Sequence, residues 1–248
     1  MAKYKSIFVS DVHLGTIPCK AKELDDFLKN NPCENLYLVG DIIDGWLLKA
    51  NYYWPQTHSD VIRRFLSIAR SETNVYYISG NHDDFLRSLP PYNLSFGNIQ
   101  VLHEMTHHGL DDKSYLVVHG DKFDNLVKAS PIKTLLGFIG VLLHHISFRI
   151  SRFINFLFKP FKIKRWSLTE CLKRIFRIDL LPLLMNFEER LANHAKEKGH
   201  DGVICGHIHQ AKIRDIDGIA YMNDGDWIDS MSALVENYDG SFNIVYYK

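Results

Sequence analysis

Five short stretches carry residues able to hold metal ions: Asp11-Val12-His13, Gly40-Asp41-Ile42-Ile43-Asp44, Gly80-Asn81-His82-Asp83, His119-Gly120-Asp121 and Gly206-His207-Ile208-His209. Their donors are carboxylate and amide oxygens together with imidazole nitrogens. Such a mixed set suits Mn, Fe or Zn rather than a calcium or thiolate site. Asp11, His13, Asp41, Asn81, His119, His207 and His209 are too many for one tetrahedral ion. They are enough for two ions sharing a carboxylate. Two ions roughly 3.5–4 Å apart can clamp a phosphoryl group and stabilise both apical oxygens of an in-line displacement.

Singly, each stretch has a plain structural reading. Asp11 and Asp41 could cap helices. His119 could be a packed core histidine, and residues 80–84 have the composition of a turn. His207 and His209 alternate on an extended stretch and so point the same way. Jointly, the structural reading asks for the same coincidence at five places. Asp44, Asp83 and Asp121 either orient a neighbouring imidazole or cap and turn the chain. His58, His103, His107, His108, His194 and His200 match none of the stretches and read as surface or packing residues.

The elements that must position these residues are short apolar runs. Ile7-Phe8-Val9, Leu36 to Val39, Val75 to Ile78, Tyr115 to Val118 and Val203 to Cys205 predict buried strands, each ending just before one of the five stretches. Residues 21–30 and 58–72 predict helices between the first three. Alternating strands and helices imply a layered α/β domain, whose ligands gather beyond the carboxyl ends of its strands. The tail predicts strands at Ile219–Asn223, Ser232–Asn237 and Ser241–Tyr247, the last two joined by a hairpin turn at Tyr238-Asp239-Gly240.

The composition, 46% hydrophobic and 23% charged, is that of an ordinary globular chain of 248 residues. The formal net charge is zero, which argues against nucleic acid as a partner. Cys19, Cys33, Cys171 and Cys205 form no C-x-x-C pair, so a zinc ribbon or disulfide scaffold is not expected. The first residues do not read as a signal peptide. No run reaches the roughly 18 apolar residues of a spanning helix. A cytoplasmic protein is the expectation.

Residues 125–199 interrupt the alternation with helical patterns. Ile139, Leu142, Ile146, Ile150, Phe153 and Leu157 share one apolar face. From Lys122 to Arg177 there are 12 basic residues against two acidic ones, Asp124 and Glu170, and many aromatics including Trp166. Basic residues with large apolar ones at helical spacing suit an anionic membrane surface. The plainer reading is a helical subdomain packed on the core.

The ordered series D-x-H, G-D-x-x-D, G-N-H-D, H, G-H-x-H over residues 11–209 resembles the calcineurin-like metallophosphoesterase superfamily. The resemblance implies an αββα sandwich, a single domain over 1–248 with a helical insertion or lid at 125–199. It implies a first ion held by Asp11, His13, Asp41 and His209, with Asp41 bridging to a second held by Asn81, His119 and His207. The ions would be Mn2+, with Fe or Zn as alternatives, and His82 would act on the substrate phosphate. The helical insertion and the stretch Asn223-Asp224-Gly225-Asp226-Trp227 are similar to the UDP-2,3-diacylglucosamine diphosphatase family of lipid A biosynthesis. That family hydrolyses a pyrophosphate to UMP and 2,3-diacylglucosamine 1-phosphate. A peripheral position on the inner face of the cytoplasmic membrane would follow, with Asp124, Asn125 and Trp166 as substrate-binding candidates. Enterobacterial-type members carry Arg where this chain has His82. The alternatives are a hydrolase of another nucleotide-linked or membrane lipid phosphoester, and a membrane-associated scaffold that has kept only the fold.

Overall fold

The structure is a computed structural model and describes residues 2–87, 95–124 and 187–248. The chain divides into two compact units, residues 1–121 with 189–248, and residues 122–188. Nearly all of the second unit lies outside the described residues, as do Asn125, Trp166 and the helical faces expected between 125 and 186. Both sheets and the candidate site belong to the first unit.

The elements in chain order are β1 (Tyr4–Val9), α1 (Ala21–Asn30), β2 (Cys33–Val39), α2 (Gly45–Ala50), α3 (Gln56–Ala69), β3 (Asn74–Ile78), β4 (Ser95–Phe96), β5 (Ile99–Leu102), β6 (Glu104–His108), β7 (Ser114–Val118), β8 (Gly202–Cys205), β9 (Lys212–Ile216), β10 (Ile219–Asn223), β11 (Ser232–Glu236) and β12 (Phe242–Tyr246). They form a seven-stranded sheet, β12-β11-β1-β2-β3-β5-β4, and a five-stranded sheet, β6-β7-β8-β10-β9. β1, β2, β3 and β5 run parallel. So do β7, β8 and β10. This is the layered α/β fold that the alternation of elements predicts, with the two sheets that the family resemblance implies.

The alternation of side chains along each strand builds two cores. Phe8, Tyr37, Val39 and Ile78 from the first sheet meet Tyr115, Val117, Ile204 and Met222 from the second, with Phe8 stacked on Tyr37 at 4.4 Å between ring centroids. Ile7, Val9, Leu36, Leu38, Val75 and Tyr77 point the other way, toward Leu24, Phe27 and Leu28 of α1 and Val61, Phe65 and Ala69 of α3. Parallel strands need crossover connections, and the apolar stripes of α1 and α3 cover the face those crossovers reach. Arg64 of α3 grips Asp25 of α1 through two hydrogen bonds of 2.8 and 3.3 Å. Strands with both faces buried read as continuous apolar runs, which is why the sequence showed them.

Candidate metal centre

The five stretches converge because the parallel registers bring their strand ends together. Val9 pairs with Leu38, and Val39 with Ile78. Beyond those pairs, Asp11 N donates to Gly40 O (3.0 Å) and His13 N to Asp41 O (2.9 Å). In the second sheet Gly206 N donates to His119 O (3.2 Å). The sheets are tied at the site itself: His119 Nδ1 lies 2.8 Å from Val39 O, and His207 N donates to Asp11 Oδ2 at 2.8 Å. Gly40 and Gly80 allow the close approach. A Cβ on Gly40 would enter the His119 ring, and one on Gly80 would strike the Asp41 carboxylate.

Asp11, His13, Asp41, His207 and His209 all have φ between 50° and 71°. Left-handed backbone at non-glycine residues costs on the order of 1–3 kcal/mol each and clusters at functional sites. Here it turns five candidate ligands toward one space.

Their donor atoms form two trios, Asp11 with His13 and His209, and Asp41 with His119 and His207; in each the ligand atoms lie within 4.8 Å of one another. His209 Nε2 is 3.2 Å from Asp11 Oδ1, and His119 Nε2 is 3.2 Å from Asp41 Oδ2. His13 Nε2 stands 3.8 Å from Asp11 Oδ1 and 3.9 Å from Asp41 Oδ2, so Asp41 of the second trio also faces the first. His82 forms a further group with His13 and Asp41. Asp11 Oδ1, His13 Nε2, Asn81 Oδ1 and His119 Nε2 are buried without a hydrogen-bond partner. Such orphans are rare in folded proteins, and each of these is an atom that would face a cation. The donor set and its orphaned atoms fit two divalent ions.

The surroundings fix how the ligands face. His13 Nδ1 lies 3.0 Å from Asp44 Oδ2, and His119 Nδ1 meets a backbone carbonyl, so both rings present Nε2 to the centre. Asp44 also caps α2 through Leu47 N (2.8 Å), and its Oδ2 lies 2.9 Å from His82 Nδ1. Asp83 takes the other role open to it: it accepts from Ile42 N, Tyr77 Oη and Gly80 N, bracing the turn rather than an imidazole. Asp121 pairs with Arg87. Asp124 is half-buried. His58, read as surface or packing, is buried and accepts from Gly15 N (3.0 Å), supporting the turn after His13.

Ser10, Asn223, Asp224, Arg87 and Trp46 were not singled out for the site by the sequence. Asn223 Nδ2 donates to Gly206 O (2.6 Å) and holds the turn before His207. Ser10 Oγ is 2.5 Å from Asp11 Oδ2 and 2.6 Å from Asp224 Oδ1. Burial, reinforced by the Asp11 charge, pushes the Asp224 carboxyl well above the usual range. The half-exposed Trp46 ring packs on His82, with centroids 4.4 Å apart.

The centre is built to attract cations. Burial pushes the Asp11 carboxyl upward, but the His209 charge and bonds to His13 and His209 hold it well below the usual range. Burial likewise opposes ionisation of Asp41, and His119 and His13 outweigh it. Conversely, burial disfavours a charged His119, yet the Asp41 carboxylate pushes it up to about 10. Protons and metal ions therefore compete for the same nitrogens.

A two-sheet α/β sandwich with His/Asp clusters able to hold metal at its strand ends is the architecture of a metal-dependent hydrolase. Residues 4–211 match the family described as calcineurin-like phosphoesterase, and the chain belongs to that family of metal-dependent hydrolases. Among solved structures, a hypothetical protein from Pyrococcus horikoshii OT3, PH1004, is 10% identical over 99% of this chain and 88% of its own, with a TM-score of 0.52. YfcE, a phosphoesterase from E. coli, is 13% identical over 98% and 99%, with a TM-score of 0.44. Vacuolar Protein Sorting 29 from Cryptosporidium parvum is 10% identical over 97% and 94%, with a TM-score of 0.45. No curated protein matches.

Proposed function

We propose that this metallophosphoesterase cleaves the pyrophosphate of UDP-2,3-diacylglucosamine, giving UMP and 2,3-diacylglucosamine 1-phosphate. The phosphoesterase chemistry rests on one observation, the two neighbouring trios of ligand atoms, Asp11 with His13 and His209 and Asp41 with His119 and His207. The substrate reading is supported by the basic and aromatic composition of residues 122–177 and by the stretch Asn223 to Trp227. The first trio with Asp41 would hold one ion, and Asp41, Asn81, His119 and His207 the other. Two divalent ions, Mn2+ first among them, would supply Lewis acidity at the phosphoryl group and acidify the attacking water.

The chain's own residues then have defined tasks. Asp41 holds the two halves of the centre in register. Asp44 and the Val39 carbonyl keep the His13 and His119 rings turned inward. His82, with Nδ1 near Asp44, donates a proton as the bond between the α-phosphorus and the bridging oxygen breaks. Water adds to the α-phosphorus and loses a proton to solvent, and the sugar phosphate leaves with the proton from His82. Residues 125–180 would hold the acyl chains and dock on an anionic bilayer at the inner face of the cytoplasmic membrane. Among the described residues no helix is long and apolar enough to cross a membrane.

The test is a panel of UDP-sugars with and without acyl chains, assayed with Mn2+, together with binding to vesicles with and without anionic lipid. Acylated substrate should win strongly in kcat/KM, since each buried CH2 contributes about 0.8 kcal/mol. Equal turnover of the deacylated sugar, with no vesicle binding, would sink the lipid reading. His82, where enterobacterial-type relatives carry Arg, favours a second reading: another nucleotide-linked or membrane lipid phosphoester. Hydrolysis of a simple chromogenic diester with no turnover of any UDP-sugar would select it. Absence of both metal uptake and turnover would leave only the scaffold.

A further inference from the structure

We propose that Arg87 is a positioning residue for one half of the centre, tying the turn that carries Asn81 to the strand end that carries His119. The inference rests on the two-ion reading above. Arg87 follows β3 of the first sheet, after the short 3-10 turn Asp84–Leu86. Its partner Asp121 follows β7 of the second sheet, at the start of another such turn.

The guanidinium serves both sheets at once. Nη1 and Nη2 each donate to one Asp121 oxygen at 2.8 Å, a forked pairing. Nη2 also donates to Ser79 O at 2.5 Å, and Nε to Ser79 Oγ at 3.2 Å. The pair is shielded, with side-chain exposures of 21% for Arg87 and 9% for Asp121. Ser79 lies two residues before Asn81, and Asp121 two after His119. A flat five-donor fork can hold a carboxylate and a carbonyl together; an ammonium cannot do both in that geometry.

The arrangement is one-sided. Asp11 and His13 have separate supports in Ser10 and Asp44, and Arg87 bonds to neither. Arg87 thus acts on the ion held by Asn81, His119 and His207 and leaves the other alone. A plain staple between sheets would not distinguish the two ions, which gives the inference its test.

Mn2+ is titrated by calorimetry into the metal-stripped full chain, with electron paramagnetic resonance spectra after each equivalent. Wild type, Arg87→Lys, Arg87→Ala and Asp121→Asn are compared, and circular dichroism of the stripped proteins checks folding. Wild type should take up two Mn2+ and give a spin-coupled spectrum. In the variants one Mn2+ should bind as in wild type and the other about 10–100-fold more weakly, the usual effect of removing a ligand's outer partner. The resolved lines of an isolated Mn2+ should then persist at two equivalents. Arg87→Lys, which keeps the charge, decides the matter if Arg87→Ala fails to fold. Two wild-type affinities in the variants, or equal weakening of both, would overturn the role of Arg87. A wild type that takes up only one Mn2+ would overturn the two-ion reading and this inference with it, a result distinct from variants that match a two-ion wild type.

Discussion

Asp41 Oδ2 lies 3.2 Å from His119 Nε2 and 3.9 Å from His13 Nε2, so one carboxylate faces an imidazole of each trio. Its other oxygen is fixed by the His82 backbone N–H at 2.8 Å. Asp41→Ala should therefore release both ions and remove nearly all activity, whereas loss of a ligand held by one trio should release one. Metal content per chain, measured beside turnover of a chromogenic diester, checks this. A variant with wild-type content and turnover would refute Asp41 as the bridge.

His82 has two possible roles. Its ring stands beside Asp44 and Trp46 like a proton donor, yet it also groups with His13 and Asp41 like a ligand. His82→Ala should keep its metal and lose about 10²–10⁴-fold in kcat, the range for a positioned acid or base. Depletion of metal in that variant would make His82 a ligand instead.

Asp44 joins two functions that one substitution can separate. It orients His13 and also caps α2 through Leu47 N. Asn caps a helix about as well as Asp but brings no charge to the imidazole. Asp44→Asn should keep the melting temperature close to wild type while metal affinity or activity falls about 10–100-fold. A large drop in melting temperature with unchanged metal affinity would mean that the cap is its main work.

The sequence revealed the strands that are buried on both faces and the ligands that end them, because burial leaves continuous apolar runs and the ligands follow at once. It did not reveal β6, Glu-Met-Thr-His-His, or β9, Lys-Ile-Arg-Asp-Ile. Both are edge strands, where charged residues are tolerated and the apolar signal fades. α2 is six residues long and lay hidden behind the Gly40 to Asp44 stretch. α3 begins at Gln56, two residues before the expected start, because Pro55 precedes it. Ser10, Asn223 and Asp224 act through contacts that distant turns make only once the chain is folded. Such residues leave no periodic trace in a sequence.

Glu236 sets a pH dependence away from the metal centre. It is fully buried between the sheets and accepts from Ser6 Oγ (2.6 Å) and Leu110 N (2.8 Å), with His107 Nε2 at 3.0 Å. Burial pushes its carboxyl up, but these partners, His107 first, hold it below the usual range. A carboxyl depressed in the folded state binds its proton more readily once unfolded. Its contribution is therefore complete above the unfolded value of about 4.3 and is lost as pH falls through the folded value. Hydrogen bonds to a buried charge are worth about 1.5–3 kcal/mol, so Glu236→Gln should lose roughly 2 kcal/mol at neutral pH. The gap between wild type and variant should narrow as the medium is acidified below about pH 4. Urea midpoints of the metal-stripped proteins, taken from neutral to acid pH, measure that gap directly. A gap that stayed constant or widened toward acid would show that Glu236 stabilises the fold by shape and not by charge.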